Sequence, residues 1–441
     1  MGEVILTGYG GIKDHVVPDR EKLRQVQMER LQMTLNRAYF HVDFYRHRLD
    51  ALGLAPEDVK TDQDFQSLPF TTTEDLADHY PYGLFAVPLK DVVRLKIASS
   101  RDGRPIVVGF TRRDVALWQS LMVRLFQGLG IHDRDIVQIA FNYSLFPGAM
   151  TFNQAAEALG ATVAPSATVS AKLQLQIMRD FRSTVLAATP SFALHLIDTL
   201  DEERLQGFEN HNLSLKLMVL GPDAIPEALR MRLRQELDLP VYNLYGVSEM
   251  VEPGLAGECR MQRGLHVAED HFLVEVVHPV TGVPVGQGAE GELVVTTLSA
   301  EAYPLIRYRT GDVVTLDASP CPCGLHTVRI SSVLRRTDHR VSVRGIPVNP
   351  QRVERLLLET DPNIEDFRLM VWTRYGLGDS LEVWVAFKAL PNGSKTARLE
   401  KIRSRLRREL GLGVRVVDVP AERLPQEGLT YKTVFREREE S

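Results

Sequence analysis

The sequence predicts an α/β protein: a large N-terminal domain of layered α/β sheets with a β subdomain, then a small α+β C-terminal domain. Three observations predict it. Short β-rich runs alternate with helical segments from about residue 90 to 330, the pattern of a largely parallel sheet with helices on its faces. Strand-like runs without helices then follow at 272–278, 291–297 and 312–315. A charged break at 334–340 leads into a new series of strands and helices.

Taken in order, residues 19–50 carry Leu23, Val26, Met28, Leu31 and Leu35 at helical spacing. Pro69, Phe70 and the Thr run 71–73 end a loop and cap a helix starting near Glu74. Strands at 135–140, 161–164, 184–188, 215–220 and 241–243 alternate with helices at 113–128, 149–159, 172–181, 191–200 and 226–238. Turns at Thr281-Gly282 and Gly286–Gly288 separate the later strands, which read as an antiparallel, barrel-like subdomain. The last unit reads as strand 341–345, helix 350–359, strands 366–372 and 381–388, helix 395–410 and strand 414–418. The final six residues look frayed.

With 441 residues the chain holds two or three domains. A net charge of −5 gives no case for nucleic acid or an anionic membrane. No apolar run reaches the length of a membrane span. The N-terminus has no basic region followed by an apolar core, and Leu6 stands where myristoylation wants Ser or Thr. Three cysteines cannot all pair within one chain, which suits a reducing compartment. A cytoplasmic enzyme is expected.

All three cysteines fall in one set: Cys259 beside Glu258, then His266, then the Cys-Pro-Cys of Cys321 and Cys323. Three thiolates and one imidazole make a closed tetrahedral Zn²⁺ site, structural rather than catalytic. The alternative is three separate free thiols, with Cys-Pro-Cys-Gly as turn chemistry.

Three further segments carry chemistry. Residues 97–111, IASSRDGRPIVVGFT, hold a Ser/Gly-rich turn after a strand and before a helix, able to cradle phosphate or to be a plain turn. Residues 242–249, YNLYGVSE, put an aromatic, a hydroxyl and a carboxylate together after a strand; base stacking, phosphate bonding and Mg²⁺ at Glu249 are one reading, an amphipathic strand end the other. In residues 304–312, PLIRYRTGD, Arg307 and Arg309 share one strand face, and Asp312 follows a turn Gly. A carboxylate there could accept two ribose hydroxyls while an Arg fork binds phosphate; a solvated face is the alternative.

In this order the three segments resemble the adenylate-forming superfamily, and most closely its phenylacetate–CoA ligase family. That family shares the phrases LPFTTTEDL (68–76), YPYGLFAVP (80–88), NYSLFPG (142–148), EALGATVAP (157–165), TPSFALH (189–195), YGVSE (245–249), HVAEDHF (266–272) and EGELVVTTL (290–298), which with 98–111 and 304–312 cover most of residues 15–350. The resemblance implies that a carboxylic acid attacks the α-phosphate of ATP, and that CoA then displaces AMP to give a thioester. Ser99, Ser100 and Arg104 would form the phosphate loop. Tyr245 and Gly246 would flank the adenine, Ser248 the phosphate, Glu249 the Mg²⁺, and Asp312 and Arg336 the ribose. Phe141, Tyr143 and Phe146 match the aryl-acid pocket. Residues 1–335 would hold the ATP and acid site, with 336–340 the hinge centred on Asp338. Residues 341–441 would be a mobile domain that rotates to bring Arg344-Gly345 to the site for thioester formation. Family members are often dimers, so a homodimer is part of the same expectation.

Two motifs depart from the family. Its phosphate loop SSGTTGKP is here Ser99-Ser100-Arg101-Asp102-Gly103-Arg104-Pro105, with both Thr gone and Arg104 in place of Lys. Its C-terminal Ser-Glu-Gly-Lys motif is here LPQEGLTYKTVF (424–435): Leu429 follows the Gly, and Lys432, three residues on, is the candidate catalytic Lys. The sequence therefore admits two alternatives to an aryl-acid–CoA ligase. One is an adenylating enzyme with another acceptor, such as a carrier-protein thiol, an amine or a deazaflavin coenzyme. The other is a nucleotide-binding member with impaired catalysis.

Overall fold

The computed structural model describes residues 20–100, 103–141, 143, 148–167, 169–204, 213–375, 377–388, 395–425 and 432–437. Eleven helices lie in this span: α1 (Arg20–His41), α2 (Asp43–Leu52), α3 (Asp62–Ser67), α4 (Thr73–Asp78), α5 (Arg112–Leu129), α6 (Ala149–Ala158), α7 (Ala171–Phe181), α8 (Pro190–Arg204), α9 (Glu227–Leu237), α10 (Pro350–Thr360) and α11 (Lys395–Leu410). The Thr run caps as expected, for the Thr72 hydroxyl accepts from Asp75 N while Asp75 bonds back to Thr72 N.

β1 (Val92–Ser99) and β2 (Pro105–Thr111) form an antiparallel hairpin. The strands β3 (Ile136–Ile139), β4 (Thr162–Ala164), β5 (Val185–Ala188), β6 (Leu217–Leu220), β7 (Val241–Tyr245), β8 (Ala256–Glu258) and β9 (Leu265–Val267) build the large sheet. A second sheet starts with β10 (Phe272–Val277), β11 (Gly291–Thr297) and β12 (Tyr308–Val314). β13 (Leu316–Asp317) and β14 (Arg329–Ile330) return to the large sheet, and β15 (Arg335–Arg336) completes the second by pairing with β12. The large sheet runs β13-β14-β9-β8-β7-β6-β5-β3-β4, parallel from β4 to β7 and antiparallel beyond.

Alternate residues of the parallel strands enter different cores. Val137, Val185, Ala187 and Val219 pack with the α5 and α6 side. Leu186, Ala188, Met218 and Leu220 pack with α7, α8 and α9. Burial on both faces is why these strands read as continuous apolar runs. Arg307 and Arg309 do share a side, both over the Phe70 ring (4.1 and 5.6 Å). Neither is left to bind phosphate. Arg307 forks onto Glu275 (3.0 and 2.9 Å) and Arg309 bonds Glu292 (3.0 Å). Alternation marked the face correctly, but β10 and β11 of the same sheet supply a carboxylate for each, half-buried Glu275 and buried Glu292. Gly311 is not in a turn: it lies inside β12, where the pairing with β11 slips register.

Beyond β15, β16 (Val341–Val343) and β17 (Ile346–Val348) form a hairpin with Arg344-Gly345 at its turn. β18 (Ile364–Arg374), β19 (Leu377–Phe387), β20 (Val414–Asp418) and β21 (Thr433–Glu437) form a sheet ordered β20-β19-β18-β21. With α10 and α11 they enclose a core of their own, including Val353, Leu357, Val371, Val383 and Leu406. The expected fraying does not hold for Arg436 and Glu437, which lie in β21 paired in parallel with β18; residues 438–441 fall outside the described residues. The unit meets α8 at one ionic contact. Arg374 donates twice to Asp198 (2.8 and 3.1 Å), Arg232 shares that carboxylate (3.0 Å), and the Tyr375 ring lies 5.4 Å from Arg232 and 5.8 Å from Arg374.

Candidate active site and metal centre

The sequence-predicted nucleotide residues converge at the carboxyl ends of the parallel strands, where open α/β sheets bind ligands. Tyr245 ends β7, and its hydroxyl donates to Asp312 of β12 at 2.6 Å. The Arg336 guanidinium pairs with the other oxygen of Asp312 and forks onto Asp338 (2.8 and 2.8 Å). Each carboxylate oxygen of Asp312 retains a second lone pair for an incoming hydroxyl. Burial first, then the Asp312 charge, pushes Tyr245 well above the usual phenol range, so it stays a donor. The Arg336 and Arg340 neighbours hold Asp338 below the usual carboxylate range despite burial.

After Tyr245 the chain turns sharply. A Cβ on Gly246 would stand 2.3 Å from Val251 O, so only glycine fits there. The turn delivers Ser248, whose hydroxyl donates to Glu249 Oε2 at 3.1 Å. Glu249 is 2% exposed, and its Oε1 is buried without a hydrogen-bond partner. Tyr303 and Tyr308 are both pushed well above the phenol range, by burial first and in part by the Glu249 charge. An orphaned buried carboxylate oxygen fits a hard cation such as Mg²⁺. A small cavity of about 40 Å³ opens beside it, lined among others by Phe110, Asp114, His271, Phe272 and Tyr303.

The candidate phosphate loop is the tip of the β1–β2 hairpin, not a strand-to-helix turn; α5 begins only after β2 ends. The β-rich run 105–111 pairs back onto β1 instead of leading straight into helix. Ser99 ends β1, and the Ser100 hydroxyl bridges Arg104 N and O (3.0 and 3.1 Å). Arg104 pairs with Asp78. Residues 101–102 lie outside the described residues. The Arg352 side chain of α10 packs against this loop, where a Cβ on Gly103 would meet its Cδ at 2.6 Å. Phe141 is a core residue against Phe152 (5.0 Å), and the Tyr143 hydroxyl donates to Asn153 (2.9 Å); Phe146 lies outside the described residues.

Lys432 sits directly before β21, held by Glu354 (2.9 Å) and Asp366 (3.2 Å) and above the Phe367 ring. Leu429 lies outside the described residues. Arg344 bonds Asp379 O (2.6 Å).

The model of the AMP-binding enzyme family matches residues 120–299. Phenylacetate–coenzyme A ligase of Thermus thermophilus is 40% identical over 368 residues, 83% of this chain and 82% of that one. The chain belongs to the phenylacetate–CoA ligase family. Among solved structures, 2-hydroxyisobutyryl-CoA ligase with 2-HIB-AMP and CoA in the thioesterification state gives a TM-score of 0.85 at 24% identity, covering 96% of this chain and 91% of that one. The same enzyme in the postadenylation state gives 0.69 at 23% identity, over 95% and 90%.

In this family member the Cys/His set forms one cluster. The ligand atoms of Cys259, His266, Cys321 and Cys323 all lie within 4.8 Å of one another. The closest approaches run between the two loops: Cys259 Sγ to Cys321 Sγ is 3.8 Å, and Cys323 Sγ to His266 Nε2 is 3.4 Å. Tetrahedral bonds of ~2.3 Å to sulfur and ~2.0 Å to nitrogen give edges of roughly 3.8 and 3.5 Å, which these two approaches match. Sulfurs 3.8 Å apart are not a disulfide. His266 Nδ1 meets the Thr327 hydroxyl at 3.0 Å, which turns Nε2 inward. Burial first, then Arg329, pushes the imidazole down to about 4, so it is neutral.

Glu258, next to Cys259, is not a ligand. It forks onto Arg230 (3.0 and 2.9 Å) and accepts from Asn243 N (2.7 Å), all three buried. Glu258→Gln removes the buried, bidentate charge partner of the Arg230 guanidinium and leaves it only the exposed Glu227 at 3.6 Å. The expected loss is about 3–5 kcal/mol of stability, read as a lower urea midpoint at unchanged slope; an unchanged midpoint would refute it.

Thr189, the first residue of the TPSFALH phrase, follows β5, and Asp223, which sequence reasoning did not single out, follows β6 at the same sheet edge. A lone polar residue after a strand carries no motif; only its place at the carboxyl edge could have marked it.

Proposed function

We propose that this chain is an AMP-forming acid–CoA ligase that activates an aromatic or arylacetic acid through an acyl-adenylate. One observation carries the reading: Tyr245, Asp312 and Arg336 meet in one hydrogen-bonded group, and the turn after Tyr245 carries Glu249, whose buried Oε1 has no hydrogen-bond partner. Family membership and the expected ribose and cation roles coincide there. Asp312 would take the ribose hydroxyls, Tyr245 and Gly246 would flank the adenine, and Ser248 would meet the α-phosphate. Glu249 would hold Mg²⁺, which when bound neutralises phosphate charge. The acid's ring would lie in the cavity bounded by Phe110, Phe272 and Tyr303, since flat aromatic walls suit a flat apolar acid.

The arrangement of residues 341–437 favours the second half-reaction. The higher TM-score belongs to the thioesterification state, Gly345 lies against Thr189, and Lys432 is held by its own unit. Rotation about 336–340 would bring Lys432 to the acyl–phosphate centre for the first half-reaction. Asp338, bound to both Arg336 and Arg340, is the pivot this reading requires. The cysteine cluster would hold structural Zn²⁺. Three unpaired cysteines fit a cytoplasmic setting, and among the described residues no helix is long and apolar enough to cross a membrane.

The test is pyrophosphate release from ATP against aryl and arylacetic acids, each with and without CoA. Release continuing to AMP and a thioester is expected. Release without thioester would identify a different acceptor, and AMP binding without turnover would mark a member that has lost the chemistry.

A further inference from the structure

We propose that Lys96 is a positioning residue for adenylate formation, holding the turn that carries Glu249 in register with the candidate phosphate loop. This rests on the acid–CoA reading above and concerns its first half-reaction.

β1 is patterned inside out. Val93, Leu95 and Ile97 on one face are exposed, while Lys96 on the other is buried. A strand that had only to pack would turn its apolar residues inward, and taking an ammonium out of water is costly. Arg94 and Lys96 both face the Trp118 ring of α5, at 6.0 and 5.8 Å. Lys96 Nζ donates to Glu252 Oε2 at 3.0 Å, and the two side chains are 3% and 20% exposed.

Glu252 belongs to a closed loop. Val247 N bonds Val251 O (2.9 Å), and Gly254 N and Leu255 N both bond Tyr245 O (3.2 and 3.2 Å). Ser248 and Glu249 therefore sit at the head of a loop whose returning limb is 251–254. The limbs touch, for a Cβ on Gly246 would stand 2.5 Å from Glu252 Cα. A shift of Glu252 is thus passed to the limb that leads to Glu249. Two side chains grip the returning limb. Trp118 donates from Nε1 to Pro253 O (2.6 Å), tying the limb to α5. Lys96 ties it to the hairpin, three residues before Ser99, where the candidate phosphate loop begins. Val108 and Phe110 of the hairpin meet Met250 and Val251 only as apolar walls of the small cavity. Apolar walls slide, whereas a charged hydrogen bond between two defined atoms fixes a register.

In the first half-reaction a carboxylate oxygen of the acid bonds to the α-phosphorus. The bond to pyrophosphate breaks, and its electron pair leaves on the pyrophosphate oxygen. Lys96 takes no part in that exchange. It holds the loop that would cradle phosphate and the turn that would hold the cation in one geometry. Misplacement by about 1 Å is enough to slow a reaction on the order of 10²-fold. The thioester step moves no pyrophosphate, so it does not depend on this register.

Lys96→Met, Glu252→Leu and the double variant test this. Pyrophosphate release is measured over a range of Mg²⁺ with an aryl or arylacetic acid that the wild type accepts, beside thioester formation from that acid's adenylate and CoA. Each variant should slow pyrophosphate release on the order of 10²-fold, with a raised Mg²⁺ requirement and a wild-type thioester step. The double variant has no unpaired charge and should fold at least as stably as the wild type, yet release pyrophosphate no faster than either single variant. Lys96→Arg, which keeps the charge and the reach to Glu252, should recover most of the rate. A double variant restored to the wild-type rate would trace the slowing to an unpaired charge and overturn the proposal. Equal slowing of both half-reactions, or an unslowed Lys96→Met, would overturn it too. A wild-type protein that releases no pyrophosphate with any such acid would overturn the ligase reading itself, and this inference with it.

Discussion

Glu249→Gln is expected to slow adenylate formation on the order of 10²–10³-fold, the range for removing one group that stabilises developing charge. Glu249 is enclosed, with one oxygen bonded to Ser248 and the other unpartnered. Leaving a buried carboxylate oxygen without a partner is costly unless a cation or donor fills the place. The neighbouring Tyr303 and Tyr308 are kept as neutral phenols, so neither adds charge to the site. Glutamine preserves shape and the Ser248 contact while removing the charge that, in the proposed reading, would draw Mg²⁺ and ATP together. The measurement is pyrophosphate release as Mg²⁺ is varied. Loss of rate with a raised Mg²⁺ requirement is expected; a variant as fast as wild type at every Mg²⁺ concentration would remove Glu249 from the cation site.

The second large effect concerns stability. Protein purified without chelator should carry about one zinc ion per chain, and Cys321→Ser should lose both the ion and several kcal/mol. Binding energy at a structural site is folding energy, with apparent values of about 10–16 kcal/mol in small zinc peptides, against total stabilities of about 5–15 kcal/mol. The cluster joins the residue after β8, a residue of β9 and the loop before β14, so losing it frees the antiparallel side of the large sheet. Metal analysis with thermal unfolding reads both effects. Metal-free protein of unchanged stability in Cys321→Ser would reduce the cluster to three ordinary thiols.

How much of this could be read beforehand depended on the physical signal. Helix 395–410 and strand 414–418 match residue for residue, because a long amphipathic helix and a β-branched run are unambiguous. The cysteine cluster was legible from composition alone, since every cysteine of the chain belongs to it. β8, β9, β17 and β21 were among the strands missed, with β2 and the two-residue β13, β14 and β15. Three of them have three residues each, too few to show a period, and β21 is an edge strand with charged residues. Arg307 and Arg309 show the limit of alternation, which gives a side but not the carboxylate waiting there. Lys96 shows the limit of motifs, for its partner Glu252 lies 156 residues away in the chain.

The Asp198 contact carries a last consequence. Arg374 and Asp198 are each about a third exposed, so the pair contributes roughly 1 kcal/mol or less, about a fivefold preference and not a lock. Under the proposed rotation, that would be a useful strength for a joint opening on each turnover: firm enough to favour one pose of the two units, weak enough for ATP to displace. Being ionic and partly wet, it also softens as salt rises. The division of time between the two poses should therefore drift with ionic strength, making the medium a quiet regulator of which half-reaction waits for the other.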